Sequence, residues 1–368
     1  MRLLIFLLPI SALAQLSDVD RMRHDLSRFL SMPRFTELEK KRTREEITQA
    51  FSGMGLAAMT HSYVSAEDKL SLGHNVISIQ AGPFYGSPED QTVIVAANYD
   101  TIEGAPGVDD NGSGVAAVLE TARTLATLDR LYQRQYTIIY ALFDMKYQGL
   151  AGSHAFVSDI VIPLLRRTNG TISAVLILDG LAHFDPFPTS QSMPQSFETF
   201  FPGAARELSL HKHMGDFVQV TGRAGLDDGL MQNFVAAFTR AASMIAPDWA
   251  FRPWLLPLKI PLHEVRSMEG LQALHPFLYA DHSSFYFHDQ RYLKIPTLYI
   301  TDTLSHRGVK QYCTYCDGLY MINEQNLRFL SLMTDTVIRS VVQLAGSEAA
   351  DIVDEMFMTF GFGAAARI

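Results

Sequence analysis

The chain has 368 residues, 48% of them hydrophobic and 19% charged, a composition that excludes disorder and suits one large α/β domain or two smaller ones. Thirty basic against thirty-nine acidic residues leave a net charge of −9, which argues against nucleic-acid or anionic-membrane binding, since both need a positive footprint. Two cysteines, Cys313 and Cys316, are too few for a disulfide framework or a multi-cysteine zinc module.

Residues 1–14 read as a signal peptide. Arg2 supplies the positive start, Leu3 to Ile10 are apolar, and Ala12-Leu13-Ala14 is a small-x-small cleavage site before Gln15. The mature chain is therefore expected to enter the secretory pathway and be secreted. No later segment carries a run of about 18 apolar residues, so no transmembrane anchor is expected. Two sequons, at Asn111 and Asn169, are compatible with that route; Asn169 falls in a turn and is the better glycan acceptor.

Residues 17–55 predict two helices with charged faces, separated at Pro33 and ending at Gly53 and Gly55. Strands are predicted over 75–80 and 92–97, joined by a turn-rich loop at 82–88. A helix follows over 112–128, with Val115, Val118, Leu119 and Ala122 at helical spacing. Segments 136–143 and 173–178 are short, β-branched and nearly all apolar, as strands covered on both faces must be. A helix over 149–158 lies between them. A further buried strand is predicted over 293–301 and a long amphipathic helix over 323–344. This alternation predicts an α/β fold with a mainly parallel (mixed) central sheet sandwiched by helices.

Residues 185–275 break the pattern, gathering proline, phenylalanine and both tryptophans around a helix predicted over 228–245. With few strand signals for a core of its own, this stretch reads as an elaborated insertion over the C-terminal edge of the sheet. A single domain over 15–345 is expected, with 346–368 as a C-terminal tail.

Polar clusters fall at the strand ends: Asn98-Tyr99-Asp100, then Asp109-Asp110 within a glycine-rich run, then Asp144-Met145-Lys146-Tyr147, then Asp179-Gly180. Asp281-His282 and Tyr312-Cys313 come later. One such aspartate is a helix cap in any α/β protein. Four in this order mark the edge where a ligand meets backbone and side chain together.

These segments resemble the M28 zinc exopeptidases, which include secreted aminopeptidases and the related glutaminyl cyclases. The resemblance runs from Asp18 to Leu344 and is carried by 93–100, 106–120, 143–156, Leu178-Asp179 and Asp281-His282 with Ile295-Pro296. It implies a zinc-exopeptidase-like domain in which a histidine, two aspartates, a glutamate and a final histidine hold two zinc ions. A second glutamate, beside the ligand glutamate, is the general base. Carried over, the bridging aspartate falls on Asp110 and the later one on Asp179, while Asp100 keeps the place that supports the first histidine. That histidine is Asn98 here, the final histidine is Cys313, and the adjacent glutamates are Lys146, at the base, and Tyr147. Asp281 and His282 match positions that are chiefly structural in the family.

Asn98 and Tyr147 are poor zinc ligands, and a protonated Lys146 neither takes a proton from water nor tolerates neighbouring Zn²⁺. No cofactor is therefore expected, or at most one weak zinc on Asp110, Asp179 and Cys313. The Lys146 ammonium group is expected to reach Asp110 and Asp179 in place of the metals. Cys313 and Cys316 read as a local disulfide or two free thiols. No Gly-x-Ser-x-Gly elbow occurs. His282, His288 and His306 lie near the late cluster, and the aromatics of 184–201 and 249–254 are expected to pack the insertion. The sequence thus points to a secreted, non-catalytic M28-like module binding a peptide or protein ligand. The alternative is an active zinc aminopeptidase or glutaminyl cyclase acting on peptide N-termini.

Overall fold

The computed structural model describes residues 15–350 apart from 67–68, 195, 250–251, 260–274, 276, 291 and 314. The signal peptide expected over 1–14 and all but the first five residues of the expected tail 346–368 lie outside the described residues.

Eight strands form one sheet in the order β1-β2-β4-β3-β5-β8-β6-β7. They are β1 (Ala58–Val64), β2 (Leu72–Gln80), β3 (Gln91–Asn98), β4 (Ile138–Phe143), β5 (Thr171–Asp179), β6 (Phe217–Arg223), β7 (Arg252–Leu258) and β8 (Thr297–Thr301). The centre, β4-β3-β5-β8, is parallel, so the C-terminal ends of these four strands share one edge. β1 and β2 join antiparallel on one side, and β6 pairs antiparallel with β8 on the other.

The centre is buried on both faces, as its apolar sequence requires. Val93, Val95, Leu176 and Leu178 face the helices Val19–Arg28, Glu37–Gly53, Gly114–Leu128 and Glu324–Leu344. Ile94, Ala96, Val175 and Ile177 face Phe156, Val157, Val161 and Phe285. Helix starts follow their caps: Asp18 accepts from Asp20 N and Arg21 N, Thr36 and Glu39 form a reciprocal capping box, and Asn323 accepts from Asn326 N.

Three strands escape the sequence reading. β1 is a largely exposed edge strand with mixed polarity. β6 and β7 come from the 185–275 stretch, which therefore lengthens the sheet as well as covering it. β7 carries Pro253 and Pro257, which read as breakers but are tolerated on an edge strand. The predicted strand 293–301 shrinks to β8, because Pro296 cannot donate to a ladder. The helix predicted over 149–158 continues through a wider turn into Ile162–Thr168, with Pro163 in its first turn where proline is accepted. No described helix is long and apolar enough to cross a membrane.

Aromatics of the 185–275 stretch and its flanks enter two cores. Phe184 stacks on Trp249 with centroids 4.5 Å apart and joins the main core. Phe197, Phe201, Phe217, Trp254 and Phe277 form a separate cluster.

Candidate functional site

The candidate site lies at the shared C-terminal edge of β3, β4, β5 and β8. Asn98 ends β3 and Asp179 ends β5, so both side chains are fixed by sheet pairing. Asp110 sits in the non-helical stretch before helix Gly114–Leu128, with φ −102° and ψ 89°. Gly107 makes that stretch possible: its φ is +65°, and an added Cβ would lie 2.4 Å from Thr101 Cγ2 and 2.7 Å from the Asp110 carbonyl. Lys146 and Tyr147 stand in the turn after β4. That turn is fixed by Asp144, which accepts from Met145 N and His74 N and from Lys40 Nζ at 2.8 Å.

Asn111 holds the centre of the edge together. Its Oδ1 accepts from Gly114 N and Gly180 N, and its Nδ2 donates to Asn98 Oδ1 at 2.9 Å and to the Leu178 carbonyl at 2.8 Å. All four hydrogen-bonding capacities of the amide are used.

The Lys146 ammonium group lies 2.6 Å from Asp179 Oδ1 and 3.3 Å from Asp110 Oδ1. Tyr147 donates its hydroxyl to Asp110 Oδ1 at 2.9 Å, and Tyr299 of β8 donates to Asp179 Oδ2 at 3.2 Å. Lys146 and Asp179 are each 2% exposed, against 27% for Asp110. Burial opposes the charge on Lys146, but Asp110 and Asp179 more than offset it and hold its pKa well above a lysine's ordinary value. Burial pushes the Asp179 carboxyl up to about 6 against the pull of Lys146. Both tyrosines are pushed upward, by burial first and then by the neighbouring carboxylates, so they remain neutral donors.

Zinc does not fit this donor set. An ammonium group occupies hydrogen-bonding distance of both retained carboxylates, and one cation excludes another at that range. Asn98 turns its amide nitrogen to Asp100, with its oxygen taken by Asn111. Cys313 is joined to Cys316 in a disulfide, so neither sulfur is a thiolate ligand, and the single-zinc set on Asp110, Asp179 and Cys313 is not formed.

The other candidates are structural. Asp100 accepts from Asn98 Nδ2 and from Lys146 N at 3.0 Å. Asp281 is buried, and burial raises its carboxyl pKa. His282 stacks on Tyr299 with centroids 4.5 Å apart and bonds the Phe277 carbonyl at 3.0 Å. His288 accepts from Gln290 N, and His306 faces Ser192.

Sequence reasoning misses four participants. Lys310 is paired with Asp109, Arg34 and Arg307 are fully buried, and Tyr299 closes the floor. Only Tyr299 carries a signal, since a hydroxyl in the middle of a buried strand demands a partner.

Residues 75–228 match the family model for peptidase family M28. Over that stretch the chain is similar to the family. The uncharacterized protein YfbL of Escherichia coli (strain K12) is 26% identical over 267 residues, 68% of this chain and 69% of its own. Among solved structures, the LapA aminopeptidase of Legionella pneumophila superposes with a TM-score of 0.60 at 15% identity, covering 92% of this chain and 74% of that one. The glutaminyl cyclase of Porphyromonas gingivalis gives 0.55 at 17% identity, covering 89% and 99%. These likenesses establish the fold, an α/β architecture built on one mixed sheet.

Proposed function

We propose that this M28 chain is a non-catalytic, secreted binding or scaffold module. The observation that carries the reading is the Lys146 ammonium group seated on Asp110 and Asp179, where the family holds its metals and its base. A protonated lysine with a raised pKa does not accept a proton from water at neutral pH. The remaining opening above Asp110, bounded by Ile102, Ala105, Tyr147, Ser305 and Lys310, amounts to about 40 Å³. That is room for water and not for an amino-acid residue.

Beside it lies a larger cavity of about 260 Å³, walled by Phe197, Phe217, Trp254, Phe277 and Tyr299. Its described lining includes histidine but no acidic residue, lysine or arginine, which suits an uncharged apolar group of a peptide or protein ligand. The test is an assay of the purified protein, with zinc supplied, on aminoacyl anilides and on peptides with N-terminal glutamine. No turnover is expected. Turnover that disappears on chelation and in Asp110→Ala would overturn the reading.

A further inference from the structure

Asp110 and Asp179 are not the only carboxylates at this edge. Asp109, His183 and Asp302 bring potential ligand atoms within 4.8 Å of one another, and all three residues are buried. Asp109 Oδ1 accepts from Ala182 N at 2.7 Å and Ser113 Oγ at 3.3 Å, so only its other oxygen faces a counter-ion. That oxygen accepts from Lys310 Nζ, which also lies 3.7 Å from Asp302 Oδ1. Lys310 has a side chain only 5% exposed. The tandem acids Asp109 and Asp110 thus meet a different lysine on each side. Behind them, Asp317 clamps the pair by accepting from both backbone amides, at 2.7 and 2.8 Å.

We propose that Lys146 and Lys310 together are built-in counter-ions for the acidic floor, replacing divalent metal as the cations on which the fold depends. The proposal rests on the assignment of Lys146 as the occupant of the degenerate site and extends it to a second cluster. Each ammonium group offers three donors and one charge to a pair of carboxyl groups, as a bound cation would, but is covalently tethered and cannot be chelated. Lys146 spans Asp110 and Asp179, and Lys310 spans Asp109 and Asp302. Arg34 and Arg307, both fully buried nearby, bond carbonyl and amide oxygens and add positive potential without using a carboxylate. A divalent ion entering either cluster would therefore meet ammonium at its ligands and guanidinium beyond them.

Elemental analysis of the purified full chain, with thermal melts in the presence and absence of EDTA, tests the proposal. The expected result is no stoichiometric zinc and a melting curve that EDTA does not move. Lys146→Met and Lys310→Met should each lower the melting temperature, and adding Asp179→Asn to the first should recover most of its loss. Stoichiometric zinc, an EDTA-lowered melting temperature, or single variants that melt with the parent would overturn it. If Lys146→Met does not fold, the Lys146→Met/Asp179→Asn pair decides: a folded double variant supports built-in compensation, and an equally unfolded one refutes it. Metal-independent peptide turnover would sink the non-catalytic reading and leave this one intact, whereas bound zinc would sink this one.

Discussion

Asn98 donates its side-chain amide to Asp100 Oδ1 at 3.2 Å, two residues along the same strand end. Asp100 thereby orients the Asn98 amide. Asp100 Oδ2 also accepts from Lys146 N at 3.0 Å, so this carboxylate ties the end of β3 to the turn that aims Lys146.

Removing that carboxylate should therefore disturb the fold. In Asp100→Ala the Lys146 N–H loses its buried acceptor, while the Asn98 amide keeps the backbone carbonyl of residue 100 at 3.1 Å. Urea unfolding should show a loss of about 1–3 kcal/mol, the cost of one orphaned buried group. A loss below about 0.5 kcal/mol, the level of a neutral surface change, would mean that water replaces the Lys146 bond.

Acid should weaken the protein through its buried histidines. Burial drives both His183 and His282 down to about 3, so each stays neutral in the fold but protonates near its ordinary value of about 6.5 when unfolded. A depressed histidine contributes full stability above about 6.5 and loses it as pH falls towards 3, at up to about 1.4 kcal/mol per pH unit. His282→Phe keeps the stack on Tyr299 but removes one titrating group. Its unfolding free energy should fall less steeply than the parent's between pH 6.5 and 4; parallel slopes would show that His282 does not titrate on unfolding.

Much of this was legible in the sequence, for reasons that can be named. The strands β3, β4 and β5 are continuous apolar runs, and such runs have few other places to go than the middle of a covered sheet. The roles expected of Lys146, Asp110 and Asp179 came from the resemblance of the segments after those runs to the M28 pattern. Lys310, Arg34 and Arg307 were invisible because a lone cation in a loop normally faces water, and only the tertiary fold surrounds these with acceptors. The Cys313–Cys316 pairing could not be chosen from spacing, which leaves a local disulfide and two free thiols both open.

Restoring the family residues at all four changed positions should restore metal binding. Asn98→His, Lys146→Glu, Tyr147→Glu and Cys313→His together supply nitrogen and carboxylate ligands, remove the blocking ammonium group and break the disulfide. Elemental analysis should find zinc in the quadruple variant and none in any single one. Stoichiometric zinc in Lys146→Glu alone would show that charge, and not the full ligand set, governs affinity.

Expressed through a secretory route, the chain should carry a glycan at Asn169 and none at Asn111. Asn169 is exposed, with φ +56° at the end of helix Ile162–Thr168. Asn111 is wholly buried with its amide nitrogen donating to Asn98 and Leu178, so glycosylation there would have to precede folding and would block it. Glycopeptide mass spectrometry reads both sites, and a glycan at Asn111 in folded protein would contradict the packing of this edge.

Arg34 should prove to be one of the positions least tolerant of substitution, although it touches no part of the acidic floor directly. Its guanidinium group donates to the carbonyls of Tyr99, Leu30, Met32, Pro106 and Gly107, at 2.6 to 2.9 Å. These carbonyls come from the loop between the first two helices and from the two ends of the 99–107 segment, which sets the positions of Asp100 and Asp110. A planar fork with five donors matches that shell; a lysine ammonium group, with three donors at one point, cannot reach across it. Arg34→Lys should therefore fail to rescue what Arg34→Met loses. Both variants leave buried carbonyls without donors, and the methionine form should lose about 3–5 kcal/mol by urea unfolding, since several buried acceptors each lose a charged donor at about 1–3 kcal/mol. Hydrogen exchange should quicken at the amides of residues 99–112 in both. Arg34→Lys with parental stability and protection would show that charge alone, and not the shape of the guanidinium group, holds the segment.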